Sequence, residues 1–202
     1  MYVRRTKPII VANDYSGALD NKQMDLITFT VTADANEDVA LQRISFDYSI
    51  FDATADAGTN TIKNIDFYRG NTQISETTDI GAISDFPNNA TSTSGVLKIS
   101  WIDGREEIIP AGETKTYTLK GVGQGFAEDD SFSIRIAEED TYDTPAALTD
   151  YTTLDAASAY LIWSDYYAGV DHDATNTLSS NYDWCSGNYV DTLPSNWSSW
   201  TK

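Results

Sequence analysis

The chain has 202 residues, 41% of them hydrophobic and 12% aromatic, enough for one large or two small domains and too apolar for wholesale disorder. Asp and Glu number 31 against 13 Lys and Arg, a formal net charge of −18, which excludes a nucleic-acid partner and disfavours anionic membranes, because both need clustered cations. A single cysteine, Cys185, and a single histidine, His172, exclude an intrachain disulfide framework and multi-thiolate or His-rich metal sites.

Period two governs the regular segments. Pro8 to Ala12 is a short strand candidate behind the basic residues Arg4, Arg5 and Lys7. Ile27, Phe29 and Val31 then alternate with Thr28, Thr30 and Thr32, and Ile44, Phe46, Tyr48 and Ile50 with Ser45, Asp47 and Ser49, so each set shares one face of a strand. Ile62 to Tyr68 and Gln73 to Ser75 are shorter candidates. Leu97, Ile99 and Trp101 alternate with Lys98 and Ser100, and Glu107 to Ile109 is a brief strand. Tyr117 and Leu119 alternate with Thr116, Thr118 and Lys120, and Phe132, Ile134 and Ile136 with Ser131, Ser133 and Arg135. Between these lie the turn clusters Asp56-Ala57-Gly58-Thr59-Asn60, Arg69-Gly70-Asn71, Pro87-Asn88-Asn89, Asp103-Gly104 and Pro110-Ala111-Gly112. Pro145 to Ala159 allows one helical turn, and Ala159 to Trp163 is a last strand candidate.

About nine half-buried strands without crossover helices predict an all-β fold, an antiparallel two-sheet sandwich of immunoglobulin-like or jelly-roll-like type. Residues 1–163 form the expected strand core of a single domain. Residues 164–202, polar and rich in rings, are expected to wrap irregularly onto it, since an aromatic side chain buries enough surface to pin such a segment. No run of about 18 apolar residues is present, so nothing is expected to insert directly into a membrane. No apolar segment follows the basic start, so the chain reads as cytosolic or as a piece of a longer exported protein. Its abundance of Thr, Ser, Asn, Asp and Tyr with little Lys favours the second.

The segments Asp25 to Ala35 and Asp38 to Phe46, the run Ile109-Pro110-Ala111-Gly112-Glu113-Thr114-Lys115-Thr116-Tyr117-Thr118-Leu119-Lys120 and the late Ile162-Trp163-Ser164-Asp165 resemble an immunoglobulin-like module of secreted cell-surface proteins from ultrasmall uncultivated bacteria. The resemblance implies an extracellular, envelope-associated module without an established enzymatic role, whose partners are other surface-protein domains or copies of itself. The chain departs from that pattern after Asp165, where Tyr166 to Asp173 stands in place of a Ser-rich stretch.

Four groups of residues carry candidate chemistry. Asp129, Asp130, Glu138, Asp140, Asp171 and Asp173 fall in expected loops where several carboxylates can converge on Ca2+, a hard cation that takes six to eight oxygens; solvated surface charge is the ordinary reading. The Asp171 stretch begins like a calcium loop but lacks its glycine at position six and its glutamate at position twelve. Tyr166, Tyr167, Trp184, Trp197 and Trp200 form a candidate sugar-stacking platform for a glycan, set against ordinary packing of the tail onto a sheet. Arg4, Arg5 and Lys7 head a strand-like arm that either forms an edge strand of its own sandwich or adds to the sheet of a neighbouring copy. A Ser or Thr nucleophile would depend on His172, no G-x-S-x-G turn exists, and no catalytic residue is assigned. The expected function is therefore a non-enzymatic structural or adhesion module of a surface layer, stalk or filament, with a carbohydrate-binding module as the alternative and a hydrolase accessory domain as a third reading.

Overall fold

The computed structural model describes residues 5–20, 22–53, 60–86, 93–102, 105–137, 160–166, 184–186 and 190–202, the backbone alone for residues 166 and 184–186. These residues form thirteen strands and no helix, arranged as two sheets packed face to face over one apolar core. The first sheet runs in the order β1 (Pro8–Asn13), β3 (Gln23–Ala33), β9 (Thr114–Gln124), β5 (Thr61–Arg69) and β6 (Thr72–Gln73), with every neighbouring pair antiparallel. The second runs β12 (Trp184–Ser186), β11 (Ile162–Tyr166), β4 (Asp38–Phe51), β10 (Ser131–Ile136), β13 (Ser198–Thr201) and β2 (Ser16–Ala18), with β7 (Thr93–Ser100) and β8 (Glu107–Ile109) also paired to β4.

The 14-residue β4 organises this second sheet. One of its edges takes β8 at Val39–Leu41 and β7 at Arg43–Ile50; the other takes β11 at Asp38–Arg43 and β10 at Phe46–Phe51. Val39 to Phe46 are all buried, the polar Gln42, Arg43 and Ser45 among them. Gln42 is an extra residue in the ladder: Leu41 pairs with Trp163 and Arg43 with Ile162. Such a bulge reverses which face the following residues occupy. The core-facing set therefore changes from Val39 and Leu41 to Ile44, Phe46, Tyr48 and Ile50.

Two more bulges lie side by side in the first sheet. Leu26 is inserted between the pairs Asp25–Lys120 and Ile27–Leu119, and Asn64 and Ile65 stand opposite the single Gly121, with Asn64 in the left-handed region at φ 50°. A Cβ on Gly121 would lie 2.5 Å from Ile62 Cγ2, 3.0 Å from Leu26 Cδ1 and 3.1 Å from Ile65 Cδ1. Only a residue without a side chain fits where both neighbours crowd the central strand.

Rings bind the sheets across the core. Phe29 lies 5.8 Å from Phe46 of the opposite sheet and 5.3 Å from Tyr117 of its own, and within the second sheet Phe132 lies 5.8 Å from Trp200. Trp163 is fully buried. Burial of each large apolar side chain contributes about 1.5–3 kcal/mol.

The all-β two-sheet sandwich expected from the alternation is what the chain forms. The turns Arg69-Gly70-Asn71 and Pro110-Ala111-Gly112 are also where expected, with Gly70 at φ 57° and Gly112 at φ 73°. β1 takes the ordinary role foreseen for the N-terminal arm, pairing with β3 of its own sandwich. The end of the tail differs from the irregular wrap expected of residues 164–202. Ser198–Thr201 is a strand inserted between β10, which it meets antiparallel, and β2, which it meets parallel. The helical turn expected within residues 145–159 lies outside the described residues.

Candidate functional site

Among the described residues, the candidates chosen from sequence are not gathered into one site. Asp129 is exposed at φ 70° on a turn. Asp130 is fully buried: its Oδ1 accepts the backbone N–H of Ala53 at 2.8 Å, and its Oδ2 accepts the N–H of Ala127 at 2.6 Å and the Asn60 side-chain amide at 3.0 Å. Its carboxylate ties three chain segments together, which corrects its reading as a cation ligand on a loop tip. Glu138, Asp140, Asp171 and Asp173 lie outside the described residues, and among the described ones no three His, Cys, Asp or Glu side chains come together as a group for a metal ion.

Of the candidate aromatic platform, one member is corrected. Trp200 is 5% exposed and packs on Phe132, because β13 turns it into the core. Trp197 is 41% exposed, with the Arg135 guanidinium 4.7 Å from its ring centroid, and Arg135 is held in turn by Asp47 at 2.9 Å. Tyr167 and the side chains of Tyr166 and Trp184 lie outside the described residues. Of the basic arm, Arg4 lies outside them too. The Arg5 backbone N–H donates to Asp165 at 3.1 Å, and Lys7 lies 3.6 Å from Asp191, an exposed pair worth about 0–1 kcal/mol.

Two features that the sequence did not single out stand out in the fold. The first is an ion cluster around Glu107, whose side chain is 5% exposed. Arg69 Nη1 donates to both of its oxygens at 2.8 and 3.0 Å, and Lys115 Nζ donates to Oε1 at 2.8 Å and also to the Ile108 carbonyl. Hydrogen bonding to Glu107 is the main reason the Arg69 guanidinium holds its proton more tightly than usual. The Tyr117 hydroxyl is buried beside the cluster, and burial, reinforced by Glu107, pushes its ionisation far above the usual phenol range. Above the cluster opens a cleft of about 370 Å³, lined in part by Asp79, Trp101 and Arg105.

Arg69 and Lys115 belong to the first sheet and Glu107 to the second, so the cluster clamps one end of the sandwich. Its oxygens are taken up by three N–H contacts, so the carboxylate ties the two sheets together. Changing Glu107 to glutamine keeps the shape but removes the charge, and is expected to cost about 1–3 kcal/mol, the lower end reflecting how well Arg69, 46% exposed, rehydrates. Calorimetry should show the midpoint fall by about 2–4 °C per kcal/mol lost; an unchanged midpoint would show that the clamp does not bear on stability.

The second feature is the outer face of the first sheet. Register sets its outward residues in rows: Ile9–Thr32–Thr114, Val11–Thr30–Thr116 and Asn13–Thr28–Thr118. Thr32 and Thr114 share a hydroxyl hydrogen bond at 2.7 Å, and Thr28 and Thr118 another at 3.1 Å. None of these side chains is charged. Charge returns in the next row, where Lys120 lies 3.1 Å from Asp25 and 5.0 Å from the centre of the Tyr68 ring. The alternation sets Thr28, Thr30, Thr32, Thr116 and Thr118 opposite the apolar faces of their strands; the assembly of a field that also takes in Thr114 depends on pairing β3 with β9.

No protein-family model and no curated protein sequence matches the chain. A solved structure of AvmM, described as catalysing macrocyclization in alchivemycin A biosynthesis, is similar over 69% of this chain and 76% of its own, at 10% identity and a TM-score of 0.32. A likeness this distant assigns no activity.

Proposed function

We propose that this chain is a non-enzymatic structural module of an extracellular surface assembly, a layer, stalk or filament, with adhesion as a subsidiary role. The observation that carries the reading is the uncharged field of Ile9, Val11, Asn13 and five accessible threonines, Thr118 being buried, on a molecule of net charge −18. Copies of so acidic a protein repel one another over most approaches, and this field is where two of them can meet without opposing like charges. The burial of Asp130 and Glu107 in hydrogen bonds that hold the sandwich together supports the same reading, as does the resemblance of Ile109 to Lys120 and Ile162 to Asp165 to modules of secreted surface proteins.

Sedimentation velocity tests it. The mean mass is expected to rise between micromolar and millimolar protein, and to rise more steeply in added salt, because the screening length shrinks from about 10 Å at 0.1 M to about 3 Å at 1 M and relieves the repulsion. A monomer across the whole range at both salt concentrations would overturn the reading.

A further inference from the structure

The sheet edges of this protein differ in how they are defended. Among the described residues β6 has two residues and β2 and β12 three each, while β8 carries Glu107 and β7 carries Lys98. Short length and charge are the usual protections against unwanted strand addition. β1 has neither. Its six residues, Pro-Ile-Ile-Val-Ala-Asn, include no charged side chain, among the described residues it is paired on one edge alone, and Ile9 and Val11 stand 40% and 52% exposed on its outer face.

Resting on the assembly reading above, we infer that β1 pairs antiparallel with β1 of a second copy and joins two five-stranded sheets into one of ten strands. The occupant is a second copy because the segment is complementary to itself and uncharged, so the contact closes about a two-fold axis without bringing the acidic surfaces face to face. Opposed residues in an antiparallel ladder point to the same face, so outward Ile9, Val11 and Asn13 must oppose outward residues. Two symmetric registers with near-complete overlap satisfy this. One sets Val11 against Val11 of the second copy and leaves Ile9 opposite the polar Asn13. The other sets Ile10 against its own counterpart and Ile9 opposite Val11 twice, two β-branched pairs of the kind that stabilise such ladders. The second is the better match. It also continues the row Thr114–Thr32–Ile9 directly into Val11–Thr30–Thr116 of the second copy, doubling the uncharged field.

Two experiments test this on the whole chain. Val11→Lys and Ile9→Lys each put a charge on an exposed position of the edge, so the thermal midpoint should stay unchanged while self-association weakens at least about tenfold. In a Cys185→Ser background, which removes the native thiol, mixing Ile9→Cys with Val11→Cys protein should give a disulfide-linked heterodimer in clear excess over either variant alone. If the wild type self-associates and both lysine variants do so equally, edge pairing is overturned while the assembly reading stands. If Val11→Cys alone cross-links as well as the mixture, the register is overturned. A wild type that stays monomeric overturns both readings.

Discussion

Replacing Asp130 with alanine is expected to lower stability by about 3–5 kcal/mol. Its carboxylate receives three hydrogen bonds, from the N–H groups of Ala53 and Ala127 and the side chain of Asn60. Bonds to a charged acceptor contribute about 1.5–3 kcal/mol each, and a buried donor left unpaired costs about 1–3 kcal/mol. Ala53 is exposed and Ala127 half-buried, so both can recover water, which keeps the total below the sum of three such losses. The Asp130 backbone adds a further tie, its carbonyl accepting the Lys202 N–H at 3.0 Å. Asp130→Asn keeps an acceptor for one donor but turns an NH2 toward the others, so it should fall between wild type and alanine. Urea unfolding measures the series; a midpoint for Asp130→Ala equal to that of wild type would show that the three segments are held by other means.

The second large effect is expected at Gly121. Gly121→Ala adds one methyl group 2.5 Å from Ile62 Cγ2, a separation that cannot persist. Ile62 is β-branched and stiff at χ1, so it cannot swing clear as the end of a lysine would. Leu26 and Ile65 close the other sides, and the backbone must therefore shift. Overpacking of this kind costs about 1–3 kcal/mol, and the upper end applies where two bulges fix the neighbours. Gly81→Ala is the control, since its nearest contact is 4.0 Å away at the Ser100 carbonyl, and it should leave stability within about 0.5 kcal/mol of wild type. Equal unfolding midpoints for the two variants would show that the pocket around Gly121 yields without cost.

The difference between these positions and the rest of the chain shows what the sequence makes legible. β9 and β10 alternate without interruption in their central residues, so the buried face could be read directly from Tyr117 and Leu119 and from Phe132, Ile134 and Ile136. β4 was visible only from Ile44 onward: Gln42 shifts the phase, and Val39 and Leu41 then sit on the odd positions while Ile44 to Ile50 sit on the even ones. β13 was hidden because Ser-Ser-Trp-Thr carries one apolar residue in four, and it is a strand because β10 and β2 hold it from both sides. Asp130 and Glu107 are ordinary acids by type and position. What distinguishes them is burial among partners 70 and 77 residues away for Asp130 and 8 and 38 residues away for Glu107, distances that only the tertiary fold closes. The uncharged field has the same origin, joining threonines 82 and 90 residues apart.

That wiring has a kinetic consequence. Partners in the central ladder of the first sheet are separated by about 90 residues, and the Tyr15 N–H that reaches Ser198 spans 183. Closing such long loops must precede most of the reward for closing them, which places a protein of this topology among slow folders. During that delay β1 would lack the sandwich behind it, and a segment as apolar as Pro-Ile-Ile-Val-Ala-Asn would be open to premature partners, so the timing of its docking onto β3 bears directly on the yield of correctly folded molecules.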